Sequence, residues 1–470
     1  MTSLKFGTSG LRGLVVDLAG TVPAQWTAAF LDHCARNGDT QAGLCLVGRD
    51  LRASSPEIAK ACFAGVAAMG LRPVDCGALP TPALALEAAR LGAPAIMVTG
   101  SHIPDDRNGL KFYRAGAEIT KADEAGILTA QAAGTATTFA AATAEDGAAS
   151  ALSRYRARYL DFFAPDALEG QTIGVYEHSS VARDVLADIL RELGARTVPL
   201  ARSDVFVPVD TEAHDPEAIA RLKGFAADGM LDAIVSTDGD ADRPLIADAA
   251  GTILRGDVVG LLTARRFGLS TIVTPVTSGS VVERAAVATR VVRTRVGSPY
   301  VIAAMEAEDP SAGLIGFEAN GGVLLGSNIA EDGRRLEALM TRDAILPILA
   351  VLSTMAREAR PLSAIVAALR PGHALADRLQ GVEPTASAAF LERIGTDAAS
   401  SARFFQPVGR MHAIDRVDGL RVSLEDGTSI HYRASGNAPE LRCYVEAEDA
   451  DRAAKLLAWG LAEARRAVAR

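Results

Sequence analysis

Ala95-Ile-Met-Val-Thr-Gly-Ser-His-Ile-Pro-Asp105 joins an apolar run to a turn of small, polar residues. The first five residues read as a buried strand, and Gly100 to Asp105 read as the loop that leaves it. The same junction occurs twice more. Ala233-Ile-Val-Ser236 runs into Thr237-Asp-Gly-Asp-Ala-Asp-Arg243, and Gly313-Leu-Ile-Gly316 runs into Phe317-Glu-Ala-Asn-Gly-Gly322.

Upstream of the first junction, a strand at Leu44–Gly48, a helix over Ser55–Met69, a strand at Pro73–Cys76 and a helix over Ala83–Arg90 follow one another. The second copy opens with a strand at Thr172–Tyr176 and a helix over Ala182–Leu193, and the third with a strand at Thr271–Thr274. Short apolar strands alternating with Ala/Leu-rich helices predict α/β domains built on largely parallel sheets. Ligands bind such sheets at the carboxyl ends of the strands, where all three polar loops lie. The chain therefore reads as three similar mixed α/β/α-layer domains facing one cleft.

The remainder differs. From His373 onward the pattern is α+β, with an Asp426-Gly427 hairpin signal inside Asp418–Tyr432. A final helix over Asp449–Val468 carries an apolar stripe at Ala453, Leu456, Leu457 and Leu461. Expected domains are 1–150, 151–255, 256–370 and a smaller 371–470, with the Ala/Thr/Gly-rich stretch Gly134–Ala149 as the first linker.

At 470 residues, several cores are needed. The formal net charge of −9 argues against nucleic acid as a partner. Five cysteines without a C-x-x-C pair suit a reducing compartment, and Cys34, Cys62 and Cys443 read as core filler. The amino terminus has no apolar signal core, and the longest apolar run, Ala344–Met355, is too short for a membrane span. A cytoplasmic protein without membrane contact is expected.

Each loop has a chemical reading and a plain one. Ser101 sits among small residues that leave its oxygen accessible. A polar turn is the plain alternative; a Ser/His hydrolase lacks its Gly-x-Ser-x-Gly elbow. Asp238, Asp240 and Asp242 alternate around a glycine turn and can converge on a hard divalent cation. An EF-hand would need glycine where Arg243 stands and glutamate where Ala249 stands, so only an acidic surface turn competes. Glu318 and Asn320, two apart, suit vicinal sugar hydroxyls or an ordinary turn. Arg433-Ala-Ser-Gly-Asn-Ala-Pro-Glu-Leu-Arg442 combines guanidinium, hydroxyl and backbone N–H groups into a phosphate cradle or a surface hairpin. Gly7-Thr-Ser-Gly-Leu-Arg-Gly13 is neither a Walker A nor a dinucleotide motif, and Arg12 offers an anion contact. Histidines other than His102 form no ligand set and read as structural or solvated.

Five segments occur in order: Phe6–Gly13, Thr99–His102, Asp238–Arg243, Gly316–Asn320 and Arg433–Asn437. Together they resemble the α-D-phosphohexomutase superfamily over essentially the whole chain, and most of all its bacterial phosphomannomutases. The resemblance implies a phosphoserine at Ser101, with His102 helping to hold the transferring group. It implies Mg²⁺ on Asp238, Asp240, Asp242 and a Ser101 phosphate oxygen. Arg12, Lys111 and Arg243 would surround the phosphoryl, and Glu318 and Asn320 would grip the sugar. Arg433, Ser435, Gly436, Asn437 and Arg442 would hold the idle phosphate.

Three departures from the pattern are visible. Ala319-Asn320-Gly321-Gly322 stands where many relatives have Ser-Gly-His, and no histidine lies near Gly297-Ser298. Lys111 then becomes the candidate general acid/base. The cradle also carries Asn437-Ala438 where Thr-Glu is common.

The implied activity is isomerisation of mannose 6-phosphate and mannose 1-phosphate through a hexose 1,6-bisphosphate, which also serves as activator. Phosphoglucomutase or phosphoglucosamine mutase is the alternative within the class. A metal-dependent sugar phosphatase and a catalytically silent sugar-phosphate-binding regulator are the alternatives outside it. A monomer or homodimer is expected.

Overall fold

A computed structural model describes residues 2–7, 10–134, 138–435 and 439–468. Three sheets repeat one arrangement. In the first, Leu44–Arg49 lies between Arg72–Ala78 and Ala95–Val98, parallel to both, and Ala95–Val98 then pairs antiparallel with Arg107–Arg114. In the second, Thr172–His178 lies between Arg196–Arg202 and Ala233–Thr237, followed by antiparallel Pro244–Asp248. In the third, Thr271–Pro275 lies between Arg290–Thr294 and Leu314–Phe317, followed by antiparallel Val323–Leu325. The polar loops singled out in the sequence are the same connection each time, where the third strand turns back into the antiparallel fourth.

The strands feeding those loops, Ala95–Val98, Ala233–Thr237 and Leu314–Phe317, are buried along their whole length. Continuous apolar runs are what a sheet covered on both faces demands. Helices do the covering: Ser55–Ala68 and Thr81–Leu91 in the first unit, Arg183–Glu192 in the second, Gly256–Phe267 and Ser298–Glu306 in the third. One apolar cluster runs through all three units, from Leu46 and Leu84 through Ile173 and Leu190 to Ile272 and Leu349. Polar ties add direction: the hydroxyls of Tyr155, at 2.7 Å, and Tyr159 both donate to the buried Asp343.

Glu145–Asp146 adds a short parallel strand to Arg72–Ala78, and the helix Ala148–Leu160 begins at once.

The C-terminal unit has its own core, built from Leu379, Val422, Tyr432, Val445 and Leu456 among others. Its antiparallel sheet runs His373–Gln380, Glu440–Ala447, Ser429–Ala434, Leu420–Leu424, Met411–Asp415, backed by the helix Ala450–Val468. The hairpin turn falls at Gly427, with φ of 82°. Two helices that the strand pattern did not single out, Pro384–Gly395 and Ala398–Phe405, complete this unit. It meets the third unit through Glu446, which accepts from Ser280 Oγ at 2.8 Å, and Asp418, which accepts from Val296 N–H at 3.1 Å. No helix among the described residues is long and apolar enough to cross a membrane.

Candidate active site

The loop after Ala95–Val98 presents Ser101 in a left-handed conformation, φ 56°. Few non-glycine residues adopt it without local support. Here Thr99 Oγ1 accepts the Ser101 N–H at 2.8 Å and donates to Asp50 at 2.8 Å. Ser101 Oγ then donates to Asp238 Oδ2 at 2.6 Å, across the boundary between the first two units. Residues 137 positions apart thus meet at hydrogen-bond distance.

The aspartate turn is closed by Asp238 Oδ1, which accepts from the N–H groups of Asp242 and Arg243, both at 3.2 Å. Asp240 Oδ2 accepts from Thr81 Oγ1 at 2.6 Å and Lys111 Nζ at 2.5 Å. Asp242 Oδ2 accepts from Lys111 Nζ at 2.6 Å and Arg342 at 2.8 Å. Burial and the charges of Asp240 and Asp242 push the Asp238 carboxyl well above the usual range. Burial works against the charge of Asp242 as well, but Arg342, Lys111 and Arg243 hold its carboxyl below the usual range. One ligand atom from each aspartate lies within 4.8 Å of the others. Asp240 Oδ1 and Asp242 Oδ1 are buried and have no hydrogen-bond partner among the described residues. An oxygen-only set with two uncommitted carboxylate oxygens fits a hard divalent cation.

Arg12 lies on Leu11–Leu14, opposite Gly109 of Arg107–Arg114, and Lys111 is two residues further along the same strand. Alternate strand residues share a face, so both cations sit on the same side of the sheet. Arg12 pairs with no carboxylate among the described residues; burial and neighbouring Arg243 hold its guanidinium down to about 10. Two guanidiniums that influence each other, one without a carboxylate partner, suit an anion. His102 Nδ1 lies 3.2 Å from both Ser101 Oγ and Arg243 Nη1. Because the guanidinium can only donate, Nδ1 accepts and the ring is neutral; burial and Arg243 push it down to about 3.

Glu318 and Asn320 are buried in the third loop, the Asn320 amide 3.4 Å from Glu318 Oε2. Glu318 also receives Arg342 at 3.1 Å, and Thr211 Oγ1 donates to the Asn320 carbonyl at 2.8 Å. A cleft of about 1410 Å³ extends from His102 and Arg243 to Arg442 and Tyr444 of the C-terminal unit.

The cradle is brought to this side only in part. Arg442 lines the cleft and pairs with Glu440 at 3.1 Å. Arg433, directly across the sheet from Arg442, donates to Asp418 at 2.6 Å. Ser435 N–H is held by the Glu440 carbonyl at 2.9 Å, and Gly436 and Asn437 lie outside the described residues.

Sequence reasoning did not pick out Thr81, Thr211 or Arg342. No motif marks them, and each acts only through a loop distant in the chain.

The chain matches the alpha/beta/alpha domains I, II and III of phosphoglucomutase/phosphomannomutase over residues 3–137, 157–251 and 255–371, and the C-terminal domain over 383–458. It is 49% identical over 467 residues to a phosphomannomutase of Sinorhizobium fredii, covering 97% of this chain and 98% of that one. A Salmonella muenchen phosphomannomutase is 41% identical over 462 residues, with 97% and 94% covered. The crystal structure of a phosphoglucomutase/phosphomannomutase family protein from Burkholderia thailandensis shares the fold, with a TM-score of 0.77 at 24% identity over 98% of this chain and 96% of that one. A serine on the neighbouring unit's aspartate turn, the thrice-repeated sheet and the separate C-terminal unit all agree with these likenesses: the chain belongs to the phosphoglucomutase/phosphomannomutase family.

Proposed function

We propose that this chain is a phosphomannomutase, an isomerase that interconverts mannose 6-phosphate and mannose 1-phosphate through phosphorylated Ser101. The observation that carries the reading is the 2.6 Å contact of Ser101 Oγ with Asp238, which sets a candidate nucleophile on a candidate metal turn. Likeness to proteins named phosphomannomutase supports mannose as the sugar.

Phosphoryl transfer needs alignment and charge neutralisation more than covalent help from the protein. Mg²⁺, held by Asp238, Asp240, Asp242 and a phosphoserine oxygen, would supply part of that neutralising charge. Arg12 and Arg243 supply the rest from the protein. In the forward half-reaction the P–Oγ bond of phosphoserine breaks while a sugar hydroxyl oxygen bonds to phosphorus. The hydroxyl proton ends on Ser101 Oγ. Lys111 gives two of its three ammonium donors to Asp240 and Asp242, leaving one for that exchange. The neutral His102 ring, its Nδ1 held by Arg243, packs beside Oγ without adding charge.

The resulting hexose 1,6-bisphosphate, which also serves as activator, turns end over end and returns its other phosphate to Ser101. Glu318 and Asn320 hold the hydroxyls common to both orientations, and Arg433, Ser435, Gly436, Asn437 and Arg442 hold the idle phosphate. We assign domain limits near 150, 255 and 370, a cytoplasmic location, and a monomer or homodimer.

Ser101→Ala should lower turnover by orders of magnitude and abolish the mass gain on treatment with the bisphosphate, since the covalent acceptor is gone. Ordinary turnover in that variant refutes the assignment. Coupled assays with mannose, glucose and glucosamine 1-phosphates test the sugar, and higher kcat/KM for either of the latter two replaces mannose.

A further inference from the structure

Arg52 has no part in the chemistry above, yet four of its five guanidinium donors go to carbonyls between Ser101 and Arg107, along the loop that carries the nucleophile. The residue is 1% exposed. Its Nη2 donates to the carbonyls of Ser101 at 3.0 Å and Ile103 at 2.6 Å. Its Nη1 donates to those of Pro104 at 2.7 Å and Arg107 at 3.1 Å. Nε donates to Asp50 at 3.1 Å, so all five guanidinium N–H donors are used. Asp50 is fixed in turn by Ser55 Oγ at 2.5 Å and by Thr99 Oγ1 at 2.8 Å, the hydroxyl that also receives the Ser101 N–H.

The second unit closes over this clamp. The Phe206 ring lies on the guanidinium, 3.8 Å from centroid to Cζ, on the connection between Arg196–Arg202 and Pro216–Phe225. The fit leaves no slack. A Cβ on Gly100 would stand 2.7 Å from the guanidinium carbon, and one on Gly239 would stand 2.8 Å from the Ser101 carbonyl and 2.9 Å from Phe206. Meanwhile Ser101 holds a left-handed backbone that persists only where its surroundings over-determine it.

We infer that Arg52, capped by Phe206, is a positioning residue that fixes Ser101 Oγ against Asp238, so that two domains jointly set the nucleophile. This rests on the reading of Ser101 as phosphoryl acceptor. Lysine at 52 keeps a charge for Asp50 but cannot reach four carbonyls at once. Leucine at 206 keeps every hydrogen bond of Arg52 and removes only the cap.

The test uses the full chain with Mg²⁺ and mannose 1,6-bisphosphate. It follows the rate of phosphoryl uptake at residue 101 by intact mass, kcat and KM, and the thermal midpoint. A nucleophile displaced by an ångström costs on the order of 100-fold. Arg52→Lys should lower kcat and uptake by about that factor with KM within about twofold, and Phe206→Leu by about tenfold. A fall in kcat that matches only the loss of folded protein, or wild-type uptake in Arg52→Lys, overturns the inference. Unchanged kcat in Phe206→Leu overturns the part played by the second domain. A wild-type chain that takes no phosphoryl at residue 101 overturns the nucleophile assignment and this inference with it. A phosphorylated wild type with an equally fast Arg52→Lys overturns this inference alone.

Discussion

Replacing Arg342 by methionine tests how far one guanidinium links the aspartate turn to the sugar loop. Arg342 is 2% exposed and spans Asp242 at 2.8 Å and Glu318 at 3.1 Å. Methionine fills much of the same space but leaves both carboxylates facing its apolar tip. Breaking a buried ion pair from one side costs about 3–5 kcal/mol, because the remaining charge is left uncompensated. Asp242 would keep Lys111 at 2.6 Å, so the lower end, about 3 kcal/mol, applies. For a domain of 150–250 residues each kcal/mol moves the midpoint by about 2–4 °C, which gives a loss of about 6–12 °C. Scanning calorimetry in a chelator measures it. Adding Mg²⁺ should raise the midpoint of the variant more than that of the wild type, since one of the cations competing for Asp242 is gone. An unchanged midpoint in chelator would mean that the pair contributes nothing and would refute the argument.

Gly239→Ala should lower kcat by about 100-fold while stability falls by only about 1–3 kcal/mol, since the new methyl presses on the Ser101 carbonyl at 2.8 Å; kcat at wild-type level means the loop can move aside. Thr211→Val removes the 2.8 Å bond to the Asn320 carbonyl, and the expected result in steady-state kinetics is a KM raised about tenfold with kcat little changed. His431 is buried, its Nε2 donating to the Asp418 carbonyl at 2.6 Å, and burial pushes its ring down to about 4. The unfolded chain binds that proton near pH 6.5, so this group's stabilisation is complete above pH 6.5 and is lost as pH falls toward 4, about 3 kcal/mol in all. Denaturant titrations of His431→Gln should show that part of the acid slope flattened, and an unaltered slope would count against it.

The composition of a short window was enough for much of the fold. Ala95–Val98, Ala233–Thr237 and Leu314–Phe317 announce themselves as buried strands because a strand covered on both faces reads as a near-continuous apolar run, broken in Ala233–Thr237 only where Ser236 and Thr237 lead into the loop. Asp426-Gly427 announces a hairpin because only a few residues tolerate its backbone. Ser101, the three aspartates and Glu318 were legible because their chemistry is concentrated within a few positions of a glycine turn. Arg52, Phe206, Thr81 and Arg342 were not. Locally, Arg52 in Gly48-Arg-Asp-Leu-Arg-Ala-Ser-Ser55 reads like any surface arginine. What distinguishes it is a set of carbonyls 49 to 55 residues away. Hydrogen bonds and ion pairs of that kind depend on distances that only the packed sheets impose. Local sequence sets which groups are offered and on which face of a strand or turn, and packing between domains sets which of them meet.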